Sequence, residues 1–215
     1  LPQFKWTQLT LPPRHFSWRV RGNSLSWALG ERERLQRPYD LLVATSMTDL
    51  SALRGMVPKL AAVPGLVYFH ENQFDYPDRR LQQYLEPAMV SLYTALAARR
   101  VVFNSEYNRR TFLDGVTSLL RRMPDHVPAG VADTIAGRST VIPVPLEDVW
   151  FERTPHPRAG RPFTLVWNHR WEYDKAPEVF AAALEQLVAA GVEFRLALLG
   201  KRHVVIPEAL ARIER

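Results

Sequence analysis

Cysteine is absent from this chain of 215 residues. Its absence excludes a disulfide framework, a thiolate zinc site and a cysteine nucleophile. No apolar run approaches the roughly 20 residues needed to cross a bilayer. The start, Leu1-Pro2-Gln3-Phe4-Lys5-Trp6, has no charged segment followed by an apolar one and does not read as a signal peptide. It also lacks an initiator Met, which points to a processed or trimmed chain; the expected location is cytoplasmic. No Asp-x-Asp pair occurs, so a carboxylate-held divalent cation on a nucleotide has little support. A Gly-x-Gly-x-x-Gly fingerprint, a Walker A loop and a Gly-x-Ser-x-Gly elbow are missing as well. His70, His169 and His203 are not at ligand spacing on one helix, and no metal is expected.

Acidic charge is in short supply. Against 28 Lys and Arg stand 22 Asp and Glu, giving a net charge of +6 and a pI of about 9.9. That balance favours polyanionic partners: nucleic acid, an anionic membrane surface or nucleotide phosphates. Composition does not choose among them. Arg greatly outnumbers Lys, and the guanidinium is the better bidentate fork for phosphate.

The remaining composition is that of a globular protein, 47% hydrophobic and 23% charged, enough for one large core or two small ones. Trp6 to Leu11 alternates and reads as a strand, ended by Pro12-Pro13. Residues 23–37 read as a helix, and Tyr39 to Ala44 as an apolar strand leading to a short helix capped by Thr48 or Asp49. Gly65 to Phe69 is a buried strand, followed by a long helix from Asp78 to Arg99. Val101 to Phe103, a helix over 106–122 and a strand from Thr140 to Val144 complete this part. Prolines at 143, 145, 155, 157 and 162 mark a linker over 146–162. A second unit follows: a strand at Phe163 to Trp167, a helix from Lys175 to Ala190, a strand at Phe194 to Leu199 and a helix near Pro207. Strand–helix alternation predicts an α/β fold with parallel sheets. The expected domains are 1–145, lacking a first strand, and 163–215, the beginning of a second Rossmann-like domain.

Two strand ends carry chemistry. The first is His70-Glu71-Asn72-Gln73 after the apolar run Gly65 to Phe69; the second is Asn168-His169-Arg170, with Lys175 close behind. In open α/β sheets ligands bind at this carboxyl edge. If two Rossmann-like units face one another, both edges open on one cleft. Arg170 and Lys175 then offer cations near a helix N-terminus, an arrangement suited to a diphosphate. The plainer reading is a hydrogen-bonded loop for His70-Glu71 and solvated charges for Arg170 and Lys175. Arg14, Trp18, Arg19 and Arg21 lie in a basic-aromatic stretch suited to a nucleic-acid backbone and a stacked base, or to a solvated edge with a core aromatic or two. The pairs Arg79-Arg80, Arg109-Arg110 and Arg121-Arg122 read as solvated helix faces that together can form an electrostatic track.

Five blocks resemble one family: Leu11-Pro-Pro-Arg-His-Phe-Ser-Trp-Arg, Asp40-Leu-Leu-Val-Ala-Thr-Ser-Met, Tyr68-Phe-His-Glu-Asn-Gln-Phe-Asp-Tyr-Pro, Val102-Phe-Asn-Ser and Trp167-Asn-His-Arg-Trp-Glu-Tyr-Asp-Lys. On them the chain is similar to the tRNA-queuosine α-mannosyltransferases, a family also known as glycosyltransferase-like domain-containing protein 1. The resemblance implies a GT-B fold related to glycosyltransferase family 4, with two Rossmann-like domains, a nucleotide-sugar donor and no metal or other cofactor. It implies that His70 lies against the transferred sugar, with Glu71 beside it in the catalytic centre. It implies that Arg170 and Lys175 bind the donor diphosphate, with Asn72, Gln73, Asn168 and His169 touching sugar or acceptor. Members take mannose from GDP-mannose and attach it, with retention, to queuosine in the anticodon of tRNA.

The family begins with a preceding strand and a Gly-Gly-Ser-His-like loop, and carries a carboxylate pair late in its second domain. This chain starts after the first and ends before the second, so the 215 residues alone are expected to lack transferase activity. Two other readings stay open: a GT-B enzyme with a lipid or polysaccharide acceptor, and a non-catalytic RNA-binding module. Saturable binding of a nucleotide sugar separates the module from the enzymes.

Overall fold

Short apolar runs separated by segments of helical period build parallel strands joined by helical crossovers. The computed structural model describes residues 3–12, 15–74, 85–152, 163–202 and 206–213. Arg14, His203, Arg79-Arg80 and the prolines at 155, 157 and 162 lie outside the described residues. The chain divides into two compact units, Leu1–Pro145 and Leu146–Arg215.

In the first unit α1 (Phe16–Gly30) and α2 (Arg32–Leu35) precede β1 (Leu42–Thr45). Then come α3 (Leu50–Met56), β2 (Gly65–Phe69), α4 (Leu85–Ala97), β3 (Arg100–Phe103), α5 (Glu106–Leu120), α6 (Val131–Ala136) and β4 (Ser139–Val141). The four strands form one parallel sheet in the order β1-β2-β3-β4. Val67 and Phe69 of β2, with Val101 and Phe103 of β3, meet Leu92 and Ala95 of α4 and Phe112 and Val116 of α5. Phe69, Phe103 and Phe112 are fully buried, and the ring centroid of Phe112 lies 4.8 Å from Phe69 and 5.3 Å from Phe103. Each such ring contributes about 1.5–3 kcal/mol of burial. A second cluster joins Ala28, Leu35, Leu53, Val57 and Leu60.

Several boundaries differ from the sequence expectation. Trp6 to Leu11 is irregular: among the described residues no strand pairs with it, and Leu9 packs on the second cluster instead. The helix expected over 23–37 starts at Phe16 and divides at Glu31. Asn23 and Ser24 favour turns in isolation, but here tertiary bonds take their polar atoms. Asn23 Nδ2 donates to the Met47 carbonyl (2.8 Å) and Ser24 Oγ to the Asp49 carbonyl. β4 stops at Val141, ahead of Pro143 and Pro145, which cannot donate to a ladder. The described part of the long helix expected over 78–99 is α4.

In the second unit β5 (Phe163–Asn168), a 3-10 turn (Tyr173–Lys175), α7 (Pro177–Ala189), β6 (Phe194–Leu199) and α8 (Glu208–Ile213) follow in order. β5 and β6 pair in parallel from Phe163↔Phe194 to Asn168↔Leu199. Trp167 packs on Phe180 of α7 at 4.4 Å between ring centroids and belongs to a core with Trp171 and Leu210. The helix expected from Lys175 begins at Pro177, since Ala176 takes a left-handed conformation (φ 52°) and proline suits the first helical turn.

Candidate active site

At the carboxyl edge of β2 the backbone leaves the sheet at His70. The loop that follows is fixed by an amide network rather than by packing alone. Asn104, directly after β3, donates from its backbone N–H to the Phe69 carbonyl (3.3 Å) and from Nδ2 to the His70 carbonyl (2.8 Å). Asn108, one turn into α5, donates from Nδ2 to the same Phe69 carbonyl (2.9 Å) and to Asn104 Oδ1 (2.9 Å). Asn72 folds inward and donates to Asn108 Oδ1 (2.8 Å) and Thr111 Oγ1 (2.9 Å), while its Oδ1 accepts the Phe74 N–H (2.9 Å). Ser105 caps α5 by accepting from the Asn108 N–H (3.1 Å). Phe74 then closes over α5: its ring is 5.2 Å from Phe112, and a Cβ on Gly115 would overlap it.

The result is a rigid platform under two exposed groups. His70 and Glu71 are both exposed, and the His70 ring tilts against Tyr68 at 4.7 Å between ring centroids. Tyr68 is itself held by donating to the Ile142 carbonyl (2.8 Å). An imidazole can donate and accept, and a carboxylate accepts, so the edge can bind hydroxyl groups and relay a proton. Gln73 is half-buried beside them. Asn72 differs from its neighbours. Buried at 8% exposure, it gives its amide to the protein interior.

The end of β1 is built in a similar way. Asp49 is 1% exposed and caps α3: Oδ1 accepts from the Ala52 N–H (3.0 Å) and Ser51 Oγ (2.8 Å). Its Oδ2 accepts from Arg21 Nη1 (3.0 Å), whose Nε pairs with Glu86 (3.2 Å). Of the proposed RNA contacts, Trp18, Arg19 and Arg21 therefore sit on α1, and Arg21 is engaged by two carboxylates. Trp18 is half-exposed and lies across Gly22, where a Cβ would meet its indole.

In the second unit Asn168, His169, Arg170 and Lys175 gather at the β5–α7 junction. Asn168 ends β5, and His169 meets Trp167 edge-on at 5.2 Å between ring centroids. The His169 carbonyl presses against Gly200 just after β6, where φ is 103° and a Cβ would overlap that oxygen. Arg170 Nη1 pairs with Glu172 (3.1 Å), leaving most of its fork for another anion. Lys175 Nζ pairs with Asp174 Oδ2 (2.8 Å). The Asp174 side chain is buried, and its Oδ1 has no partner among the described residues. Left-handed Ala176 turns the chain sharply, so Lys175 sits at the entrance to α7.

Sequence reasoning missed the supports of both clusters: Asn104, Asn108, Thr111 and Gly115 in the first unit, Asp174 and Gly200 in the second. A signal was present for two of them, since Asn104 and Asn108 stand four apart where a strand becomes a helix. Among the described residues no group of three His, Asp or Glu side chains is placed to hold a metal ion. No helix among them is long and apolar enough to cross a membrane.

A parallel sheet with helical crossovers and polar residues at the carboxyl ends of its strands defines a Rossmann-like α/β protein. The family model described as tRNA-queuosine alpha-mannosyltransferase N-terminal matches residues 1–146. A curated protein of Drosophila melanogaster named tRNA-queuosine alpha-mannosyltransferase is 33% identical over 218 residues. That match covers 95% of this chain and 56% of the relative. The chain belongs to the tRNA-queuosine α-mannosyltransferase family. It spans little more than half the length of the relative. No solved structure matches it.

Proposed function

We propose that the protein containing this chain transfers mannose from GDP-mannose to queuosine in the anticodon of a tRNA, with retention at the anomeric carbon. Support comes from family membership and from one observation above others: His70 stands exposed at the carboxyl edge of β2 while Asn104 grips its backbone carbonyl. A contact to a reacting sugar needs that combination of access and rigidity. In the reaction a bond forms between the anomeric carbon and an acceptor hydroxyl oxygen. The bond to the diphosphate oxygen breaks on the same face, and the acceptor proton passes to the departing diphosphate. His70 hydrogen-bonds the sugar and Glu71 orients it, with Gln73, Asn168 and His169 contributing contacts to sugar or acceptor. Arg170 and Lys175 stabilise the charge that grows on the leaving group. No metal is needed in this scheme, and the reaction runs in the cytoplasm.

The test is a transfer assay with the full-length protein, offering GDP-mannose or UDP-sugars to tRNA with and without queuosine. Transfer confined to GDP-mannose and queuosine tRNA is expected, and His70→Ala should lose most turnover while still binding tRNA. Failure to bind any nucleotide sugar saturably would overturn the enzyme reading. Unchanged turnover in His70→Ala would remove His70 from the site.

A further inference from the structure

Parallel strands give a sheet two chemically different edges. The carboxyl edge carries His70. At the opposite edge of the first unit, where strands begin and helices end, the chain collects arginines. Arg99 and Arg100 open β3: the Arg99 N–H donates to the Gly65 carbonyl (2.7 Å), and Arg100 pairs in register with Leu66. Arg121 and Arg122 close α5, the helix that follows β3. All four are exposed, and among the described residues none forms an ion pair. Asp125, the nearest carboxylate downstream, pairs with His126 at 3.5 Å instead.

Two further arginines at this edge behave differently. Arg138 Nη2 donates to the carbonyls of Ala95 and Leu96 (3.1 Å each), and Arg54 Nη2 donates to that of Val63 (2.6 Å). Burial lowers Arg54 from its usual pKa. These two are tied into the fold by their side chains. The exposed four follow the C-termini of α4 and α5, where positive charge suits the helix dipoles, but among the described residues no carboxylate or carbonyl takes their guanidinium groups, which stay open to an anion.

We propose that Arg99, Arg100, Arg121 and Arg122 form a docking surface for the phosphodiester backbone of the RNA substrate. The proposal rests on the tRNA reading above, and it moves the main RNA contact away from α1, where Arg21 is already neutralised. The charge complements a polyanion. Every one of the four is Arg, whose planar fork grips phosphate oxygens two at a time, rather than Lys, which acts as a point charge. Size agrees as well: strands of three to five residues make a sheet only about 15 Å tall, so an RNA loop held at the carboxyl edge has its stem within reach of the other.

The test measures binding of full-length protein to tRNA across a salt series, for wild type, the fourfold Arg→Ala variant and the fourfold Arg→Lys variant. Circular dichroism checks that each is folded. The Ala variant should bind at least about tenfold more weakly near physiological salt, equally with and without queuosine. Its log–log salt slope should shallow by about one for each arginine that meets a phosphate. The Lys variant should keep most of the salt slope. Mannosyl transfer to free queuosine nucleoside, which has no RNA backbone to dock, should be unchanged in both. Wild-type affinity and slope in a folded Ala variant would overturn the surface. So would a loss of binding to phosphatidylserine vesicles with tRNA binding intact. If wild type binds tRNA through these arginines but transfers no sugar, the surface stands and the enzymatic reading falls.

Discussion

Asn72 hands its amide to Asn108 at 2.8 Å, and Asn108 in turn holds the carbonyl of Phe69, the residue before His70. A loop residue and a helix residue thus fix the exit of the β2 chain between them. Both amides are buried: removing Asn72 leaves Asn108 Oδ1 without its donor, and removing Asn108 takes one acceptor from Asn72 and a donor from the Phe69 carbonyl. Asn108→Ala should destabilise the protein by about 2–3 kcal/mol, and Asn72→Ala by a similar amount, because each orphaned buried group costs about 1–3 kcal/mol. The double variant should cost less than the sum, since the second substitution removes a group already orphaned. Chemical denaturation of the four species closes the cycle, and strict additivity would contradict the coupling.

Gly115 sets two effects against each other. In a helix interior, alanine is better than glycine by roughly 0.5–1 kcal/mol. Here a Cβ would overlap the Phe74 side chain, which anchors the far end of the His70 loop. Overpacking costs typically about 1–3 kcal/mol and wins. Gly115→Ala should therefore lower stability by about 1 kcal/mol and reduce turnover through loop displacement. In a double-variant cycle with Phe74→Gly, which removes the overlapping Cβ as well as the ring, the cost of the methyl at Gly115 should vanish. Gain of stability in the single variant would show that the loop yields at no cost.

Asp49 and Arg21 share an ion pair but not its value. Asp49 is buried and caps α3; Arg21 is half-exposed. Loss of an N-cap costs about 1 kcal/mol, and unmet partners raise the figure, so Asp49→Ala should cost about 2–3 kcal/mol. Arg21→Ala should cost less, about 1–2 kcal/mol, because it orphans only the buried Oδ2 and leaves the cap on α3 in place. Equal effects in thermal or chemical unfolding would contradict this division.

What the sequence revealed followed from periodicity and from polar residues placed after apolar runs. β2, β3, β5 and β6 stand within a residue or two of their expected places because each is an apolar run whose end is chemically abrupt. The edges carrying His70 and Arg170 were legible for the same reason. The supports were not. Asn108 looks like a solvent-facing helix residue until the return of the chain places the Phe69 carbonyl against it. Gly115 looks like a weak point in α5 until Phe74 is seen across it. The start of α1 was hidden because Asn23 and Ser24 spend their polar atoms on partners more than twenty residues away.

Lys175 stands beside Asp174, and that pairing decides how the donor end should respond to mutation. The buried carboxylate holds Nζ at 2.8 Å by one oxygen, which orients the ammonium while leaving two of its three protons for an incoming anion. Removing Lys175 deletes a charge-assisted bond to the proposed diphosphate, worth about 1.5–3 kcal/mol, or roughly ten- to hundredfold in affinity. Removing Asp174 has a different effect, because it leaves the cation in place but lets it wander. Lys175→Ala should thus weaken GDP binding to the full-length protein by at least about tenfold. Asp174→Asn should weaken it less and act more on turnover, since positioning is what it withdraws. Arg170→Lys should fall between the two, keeping charge but losing the fork. Titration calorimetry with GDP alone ranks the three without needing acceptor or transfer. Wild-type affinity in both Lys175→Ala and Arg170→Lys would mean that the diphosphate lies elsewhere.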